Sequence, residues 1–309
     1  MLQVENLAKT FGEIRAVDGV SFSVDAGRIF GLLGPNGAGK TTTIAMICGL
    51  VPPGAGRVVV DGLDLRTQPA AVKRRLGVVP QEIALYEDLT ARENLDFWGG
   101  IYGLKGKALA ARREELLTLV GLADRAREPV RNFSGGMKRR LNLALGLVHR
   151  PQLILLDEPT VGIDPQARIN VLDVVRGLAR DGAAVLYTTH YLEEAEHLCD
   201  ELAIMDHGKI HAQGSIEALK AELGEGSVIL IQGGFSKEDA AGVVERSGEL
   251  RALEVDDGRA LLNAPRGRAG VGAALEVLYQ SGLQLTDVTV KEPNLEDLFL
   301  KLTGRELRD

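Results

Sequence analysis

The start of the chain alternates apolar and polar positions. Val4 and Leu7, then Val17, Val20, Phe22 and Val24, are separated by polar residues, a pattern that predicts short antiparallel strands turning at Gly12 and Gly19. Residues 29–33 form an unbroken apolar run that ends in a glycine-rich turn, which predicts a strand buried on both faces. From Lys40 the period lengthens, and Ile44, Ile47 and Cys48 recur at helical spacing. Two further runs, 153–156 and 184–187, predict buried strands, with a helix over 167–180 between them. Strands alternating with helices imply a parallel α/β core.

Between residues 82 and 148 the texture differs. Residues 104–122 are rich in Lys, Arg and Glu, with leucines at helical spacing, and read as part of a helical insert in the core. After a helical stretch at 216–223, the small residues Gly224, Gly226 and Ser227 mark a boundary. The expected domains are therefore 1–223 and an accessory domain over 224–309. The second domain reads as strand 228–231, helix 239–247, strands 252–255 and 260–263, helix 272–281 and strand 285–290. That β-α-β-β-α-β order predicts a small ferredoxin-like α+β domain. A last helix is expected over 295–302.

Composition narrows the classes. The 309 residues, 45% hydrophobic and 26% charged, suit a soluble globular protein of about two domains and exclude collagen-like and disordered chains. Asp and Glu outnumber Lys and Arg, 43 to 36, for a net charge of −7. Proteins that grip nucleic acid usually carry the opposite balance, so no nucleic-acid partner is expected. Two cysteines, Cys48 and Cys199, exclude a disulfide framework and suit a reduced cytosolic compartment. The opening residues lack a basic segment followed by an apolar run, so no secretion signal is expected. No run reaches the ~18 apolar residues that a bilayer span needs. If the protein works at a membrane, a partner must supply the span.

The strongest chemical signal is Gly34-Pro35-Asn36-Gly37-Ala38-Gly39-Lys40-Thr41, which fits G-x-x-x-x-G-K-[ST] between a predicted strand and a predicted helix. Glycines let several backbone N–H groups turn inward onto phosphate oxygens, and the positive end of the new helix faces the same anion. Lys40 is expected on the β- and γ-phosphates, Thr41 on Mg²⁺, and Thr42 beside the nucleotide in the first helical turn. The second signal is residues 153–159, an apolar strand ending in Asp157, Glu158 and Pro159. Ligands of open α/β sheets bind beyond the carboxyl ends of the strands. Asp157 is thus a candidate Mg²⁺ ligand, and Glu158, one residue further on the loop, a candidate for polarising an attacking water.

With these motifs, residues 2–223 resemble the ATP-binding subunits of ABC transporters. Ser134-Gly135-Gly136 is similar to the core of that family's signature motif, Gln81 to its Q-loop glutamine, Gly162-Ile163-Asp164 to its D-loop and His190 to its switch histidine. Phe11 stands where the family has an aromatic residue under adenine. Singly, Gln81, Phe11 and His190 are residues of ordinary kinds, and an aromatic strand residue is more often core. Their order along the chain carries the likeness. The resemblance implies a P-loop ATPase core with an antiparallel β subdomain and a helical insert. It implies two copies closing around two MgATP, with Ser134 completing the opposite site and Asp164 among the nucleotide-binding residues. Lys40, Gln81, Glu158 and His190 would be catalytic, with Gln81 also near the metal. The 81–104 segment, including Tyr86 and Phe97, would face a membrane-spanning permease subunit, and the protein would lie on the cytoplasmic face of the cell membrane.

Departures sharpen the likeness. The signature reads Phe133-Ser134-Gly135-Gly136-Met137, and Met137 is given no nucleotide contact. The stretch 134–141, and the tail Glu292-Pro293-Asn294-Leu295-Glu296-Asp297-Leu298-Phe299 with Leu302-Thr303-Gly304-Arg305, are similar to the branch that exports drugs, antibiotics and lipids, typified by daunorubicin-resistance ATPases. The rival class is a soluble ATPase of the same family acting on ribosomes or DNA. A single ATPase unit and the lack of a heptad run between Thr41 and Ser134 speak against it. Of the basic triplets, Lys73-Arg74-Arg75 reads as a solvated helix face and Lys138-Arg139-Arg140 as added positive potential beside the Ser134 turn. His149, His197, His207 and His211 lack metal-ligand spacing.

Overall fold

The opening alternation builds a hairpin of β1 (Leu2–Phe11) and β2 (Ile14–Val24), paired antiparallel. The computed structural model describes residues 1–223, 226–248, 250–264 and 268–304, without the side chains of 268 and 269. Gly224 and Arg305 lie outside the described residues. Gly12 turns the hairpin, but Gly19 does not turn the chain. It is an extra residue inside β2, where the ladder shifts register between Leu7–Val20 and Lys9–Val17. At φ +72° the glycine absorbs a bulge without ending the strand.

β3 (Ile29–Leu33) is buried at every position and leads through the glycine-rich loop into α1 (Lys40–Ile47). β4 (Ala55–Val60) and β5 (Leu63–Asp64) extend the hairpin into an antiparallel sheet of order β2-β1-β4-β5. After α2 (Pro69–Lys73) and β6 (Leu76–Val79) comes the helical insert of α3 (Ala91–Ile101), α4 (Gly106–Leu119) and α5 (Gly135–Gly146). A capping box starts α3: the Thr90 side chain accepts from Glu93 N, and the Glu93 carboxylate accepts from Thr90 N. Leu95, Leu116, Leu117 and Leu141 are fully buried in one cluster with Ile154 and Leu156 of the central sheet. Burying each such side chain is worth about 1.5–3 kcal/mol, which holds the insert on the core.

The second half of the core is β7 (Leu153–Asp157), α6 (Pro165–Arg180), β8 (Ala184–Thr189), α7 (Leu192–Leu198), β9 (Glu201–Asp206) and β10 (Lys209–Ser215). The six-stranded sheet has the order β10-β9-β3-β8-β7-β6. From β9 to β6 its neighbours run parallel. The carboxyl ends of β3, β7 and β8 therefore share one edge, which brings the loop after Leu33, the Asp157–Glu158 pair and His190 together.

The chain divides into compact units Met1–His211 and Ala212–Asp309. This division falls ahead of the boundary expected after Leu223. The reason is that α8 (Ile216–Ala221) packs with the last helix, α11 (Leu295–Thr303), and Lys301 Nζ donates to the Glu222 carbonyl at 2.7 Å. The second unit continues with β11 (Ser227–Gly233), α9 (Lys237–Ser247), β12 (Arg251–Asp256), β13 (Arg259–Ala264), α10 (Arg268–Gln280) and β14 (Leu285–Lys291). Its antiparallel sheet, ordered β12-β13-β11-β14, has the β-α-β-β-α-β sequence of elements expected from the pattern. The tail motif is built into this unit. Asn294 caps α11 by accepting from Asp297 N at 2.9 Å, Lys291 pairs with buried Asp297 at 2.7 Å, and Leu298 and Phe299 are fully buried.

Candidate functional site

The loop after β3 is held by close backbone packing. A Cβ on Gly34 would lie 2.1 Å from the Met205 carbonyl oxygen, and one on Gly39 would lie 2.4 Å from that of Ala16. Gly39 also has φ +105°, a conformation side-chain-bearing residues rarely adopt. Gly208 N donates to the Ala38 carbonyl at 2.9 Å, and Gly34 N to that of Thr189 at 3.2 Å. Pro35 is half-buried, Asn36 and Gly37 lie at the exposed rim, Thr41 is exposed and Thr42 half-buried.

Lys40 opens α1, and its ammonium folds back into the loop. It donates to the carbonyls of Gly34 (2.6 Å) and Pro35 (3.0 Å) and pairs with Glu158 Oε1 at 3.0 Å. The Lys40 and Glu158 side chains are only 4% and 3% exposed. Glu158 sits at φ +45°, a strained value for a non-glycine residue just past a strand end. Gln81 Nε2 donates to Glu158 Oε2 at 3.1 Å, and His190 Nδ1 lies 3.3 Å from Oε1. Four of the expected catalytic residues thus meet at one carboxylate.

Asp157 takes different partners. Its Oδ1 accepts from the Thr188 hydroxyl at 2.7 Å, and that hydroxyl accepts from Glu158 N at 3.0 Å. Burial pushes the Asp157 carboxyl above its usual range, while hydrogen bonds from Thr188 and Thr41 oppose the shift. Thr188 has no motif of its own, so the sequence reading missed it. The only available signal was its place two residues before His190.

Ser134 caps α5, its hydroxyl accepting from Met137 N at 3.3 Å. Gly135 follows it in the first turn. A Cβ on Gly136 would lie 2.8 Å from Ala167 Cβ, so the turn abuts the start of α6. Asp164 caps α6 and accepts from Ala167 N at 2.9 Å. The Ser134 turn therefore borders Asp164. Met137 packs against the core. Phe11 is on the surface, 48% exposed, with Lys9 Nζ 5.2 Å from its ring centroid.

The second basic triplet differs from expectation. Lys138 pairs with Glu87, and Arg140 donates to the Val120 carbonyl at 2.8 Å. Arg139 is buried and donates to the carbonyls of Gln81 (2.6 Å), Pro80 (3.3 Å) and Val161 (3.3 Å). The triplet fastens the Gln81 segment and the insert instead of adding free charge, because its donors are taken by carbonyls and Glu87. Tyr86 and Phe97, both exposed, meet edge to face at 4.9 Å, with Ile83, Ile101 and Tyr102 also exposed on this part of the chain. No described helix is long and apolar enough to cross a membrane.

Comparison with known proteins fits this geometry. Residues 17–161 match the family model described as ABC transporter. A linearmycin resistance ATP-binding protein of Bacillus subtilis is 45% identical over the full length of both chains. A daunorubicin resistance ATP-binding protein of Streptomyces coeruleorubidus is 39% identical, covering 99% of this chain and 97% of the relative. A Nod factor export ATP-binding protein of Ralstonia nicotianae is 40% identical, covering 100% of this chain and 95% of the relative. Among solved structures, an ATP-binding subunit of an ABC transporter superposes with TM-score 0.67 at 32% identity, covering 72% of this chain and 93% of that one. A dimeric ATP-binding cassette in a post-hydrolysis state, bound to ADP and phosphate, gives 0.64 at 25% identity, covering 70% and 98%. A phosphate loop whose lysine meets the Glu158 carboxylate, in a chain matched end to end by such relatives, belongs to the ABC transporter family as an ATP-binding and ATP-hydrolysing subunit.

Proposed function

We propose that this chain drives a two-part exporter. It dimerises with a second copy around two MgATP, lies on the cytoplasmic face of the cell membrane, and moves a hydrophobic drug, antibiotic or lipid through a separate membrane-spanning permease subunit. The observation that carries the reading is the meeting of Lys40, Gln81 and His190 within 3.3 Å of the Glu158 carboxylate, at the carboxyl edge of the sheet. The names of the relatives, which speak of resistance and export, support the cargo class.

In this reading several backbone N–H groups of the 34–41 loop hold the phosphates and Lys40 turns from Glu158 to the β- and γ-phosphates. Released from Lys40, Glu158 accepts a hydrogen bond from the attacking water and directs its oxygen at the γ-phosphorus, while the bond to ADP breaks. His190 donates to the γ-phosphate and Gln81 helps hold the water. Thr41 and Asp157 are hydrogen-bonded hard-oxygen donors, the kind of set magnesium takes. Bound there, magnesium neutralises charge on the phosphate oxygens. Phe11 offers an exposed ring to adenine. Ser134, Gly135 and Gly136 of the second copy cover the terminal phosphate, with Asp164 alongside. The 81–104 segment, with exposed Ile83, Tyr86, Phe97, Ile101 and Tyr102, forms the face that meets the permease. The accessory unit tunes assembly or turnover.

The test is Glu158→Gln. Turnover should fall by about 10²–10⁴-fold, the usual worth of a positioned base. MgATP should convert the variant to a stable dimer by size-exclusion chromatography. Wild-type turnover in this variant would refute the role of Glu158.

A further inference from the structure

Behind the site lies a buried carboxylate that the mechanism above does not use. Glu194, on α7, is 2% exposed, and one of its oxygens, Oε2, accepts three hydroxyl hydrogens. They come from Tyr187 (2.7 Å), Thr160 (2.9 Å) and Thr189 (3.0 Å). Thr160 stands two residues after Glu158, and Thr189 immediately precedes His190. The Thr189 hydroxyl also accepts from Tyr191 N at 2.9 Å, so both neighbours of His190 are tied to Glu194. Arg168, near the start of the helix capped by Asp164, brings its Nε to 3.4 Å from the other carboxylate oxygen. The Arg168 guanidinium also lies over the Tyr191 ring at 4.6 Å, and that ring is 4.2 Å from the imidazole of His190.

We propose that Glu194 is a positioning residue for ATP hydrolysis, holding the segments that carry Glu158 and His190 in fixed relation to each other. It rests on the roles given to those two residues above. A carboxylate buried this deeply loses its hydration, and an apolar side chain of similar volume with Phe and Val around it packs without that loss. Stability alone therefore does not account for Glu194. Three donors converging on one acceptor fix hydroxyl rotamers and, through them, two loops from different strands. The reaction needs Glu158 and His190 aligned on one phosphorus, and a misplacement of about 1 Å can cost about 10²-fold in rate. Arg168 extends the same tie to α6, so the Asp164 cap and the His190 loop share one anchor.

The experiment compares the full-length wild type with Glu194→Gln and Thr189→Val, each alone and combined with His190→Ala. Single-turnover ATP hydrolysis, MgATP affinity and melting temperature are measured for all. Glu194→Gln should slow hydrolysis by about 10–100-fold while MgATP affinity stays within about threefold. In the His190→Ala background the same substitution should slow it by a clearly smaller factor than in wild type, because one of the two groups it aligns is gone. A rate within about twofold of wild type, losses that multiply in the double variant, or a loss confined to affinity would each overturn the proposal. If Glu194→Gln folds poorly, Thr189→Val removes one donor, keeps the carboxylate and carries the same expectations. Glu158→Gln in the same assay separates the failures. If it hydrolyses normally, the site assignment falls, and if it is inactive while both Glu194 and Thr189 variants match wild type, only the role of Glu194 falls.

Discussion

Lys40 and Glu158 satisfy each other in a buried pair, and the proposed function requires ATP to part them. Glu158→Gln removes the negative charge from a pair that is 3.0 Å apart and almost wholly buried. Breaking such a pair by removing one partner typically costs about 3–5 kcal/mol. Here the loss is smaller, since Lys40 keeps the Gly34 and Pro35 carbonyls at 2.6 and 3.0 Å and an amide oxygen can still accept. About 1–3 kcal/mol remains, and under the proposed function it falls on the unliganded protein alone, because Lys40 would then exchange Glu158 for phosphate when nucleotide binds. The variant should therefore melt lower than wild type without nucleotide and bind a non-hydrolysable ATP analogue about 5–150-fold more tightly. Titration calorimetry with the magnesium analogue, and thermal melts with and without it, read both terms. Equal affinity together with an unchanged unliganded melting temperature would show that the pair stores nothing against binding, and would refute the reasoning.

Gly39→Ala places a Cβ 2.4 Å from the Ala16 carbonyl oxygen at φ +105°. Backbone strain and overpacking together should cost about 2–4 kcal/mol in urea denaturation and abolish nucleotide binding; a loss below about 0.5 kcal/mol would contradict the packing described. Ser134→Ala removes the α5 cap, worth about 1 kcal/mol, and should lower dimer-dependent ATP turnover while leaving the affinity of the isolated chain for nucleotide near wild type. The third test is pH. Burial holds the His149 imidazole below its ordinary 6.5, although its bond to the Leu76 carbonyl opposes the shift. Since the folded value lies below the unfolded one, the contribution of His149 is present above about pH 6.5 and is lost as pH falls toward the folded value. Melts between about pH 7.5 and about pH 5.5 should show a smaller acid-side loss in His149→Gln than in wild type.

Much of this molecule is legible in its sequence because the relevant constraints are local. A strand feeding a glycine loop and a helix reads directly from residues 29–47, and an apolar run ending in two acids reads from 153–158. The β-α-β-β-α-β order of the second unit follows from periodicity alone. What did not read is what tertiary contact decides. Gly19 looks like a turn, yet it absorbs a bulge, since a glycine at positive φ serves either purpose. β6 has four residues, and β9 and β10 carry no motif, so only their pairing identifies them. Arg139 reads as added positive potential in a basic triplet, but it is buried and its donors go to carbonyls of two distant segments. Glu194 stands beside Glu193 in an acidic helix turn, and nothing in that dipeptide tells which carboxylate turns inward.

The flanks of β3 bear on how this machine is inherited. Its two sheet neighbours, β8 and β9, come from residues 184–189 and 201–206, both beyond the 17–161 stretch that matches the family model. The loop floor also takes the Ala16 carbonyl from just before that stretch. A gene fragment ending near residue 161 would keep the recognisable nucleotide motifs yet leave β3 without a partner on either side. Recombination can therefore exchange the accessory unit, but it must hand down β3 together with β8 and β9.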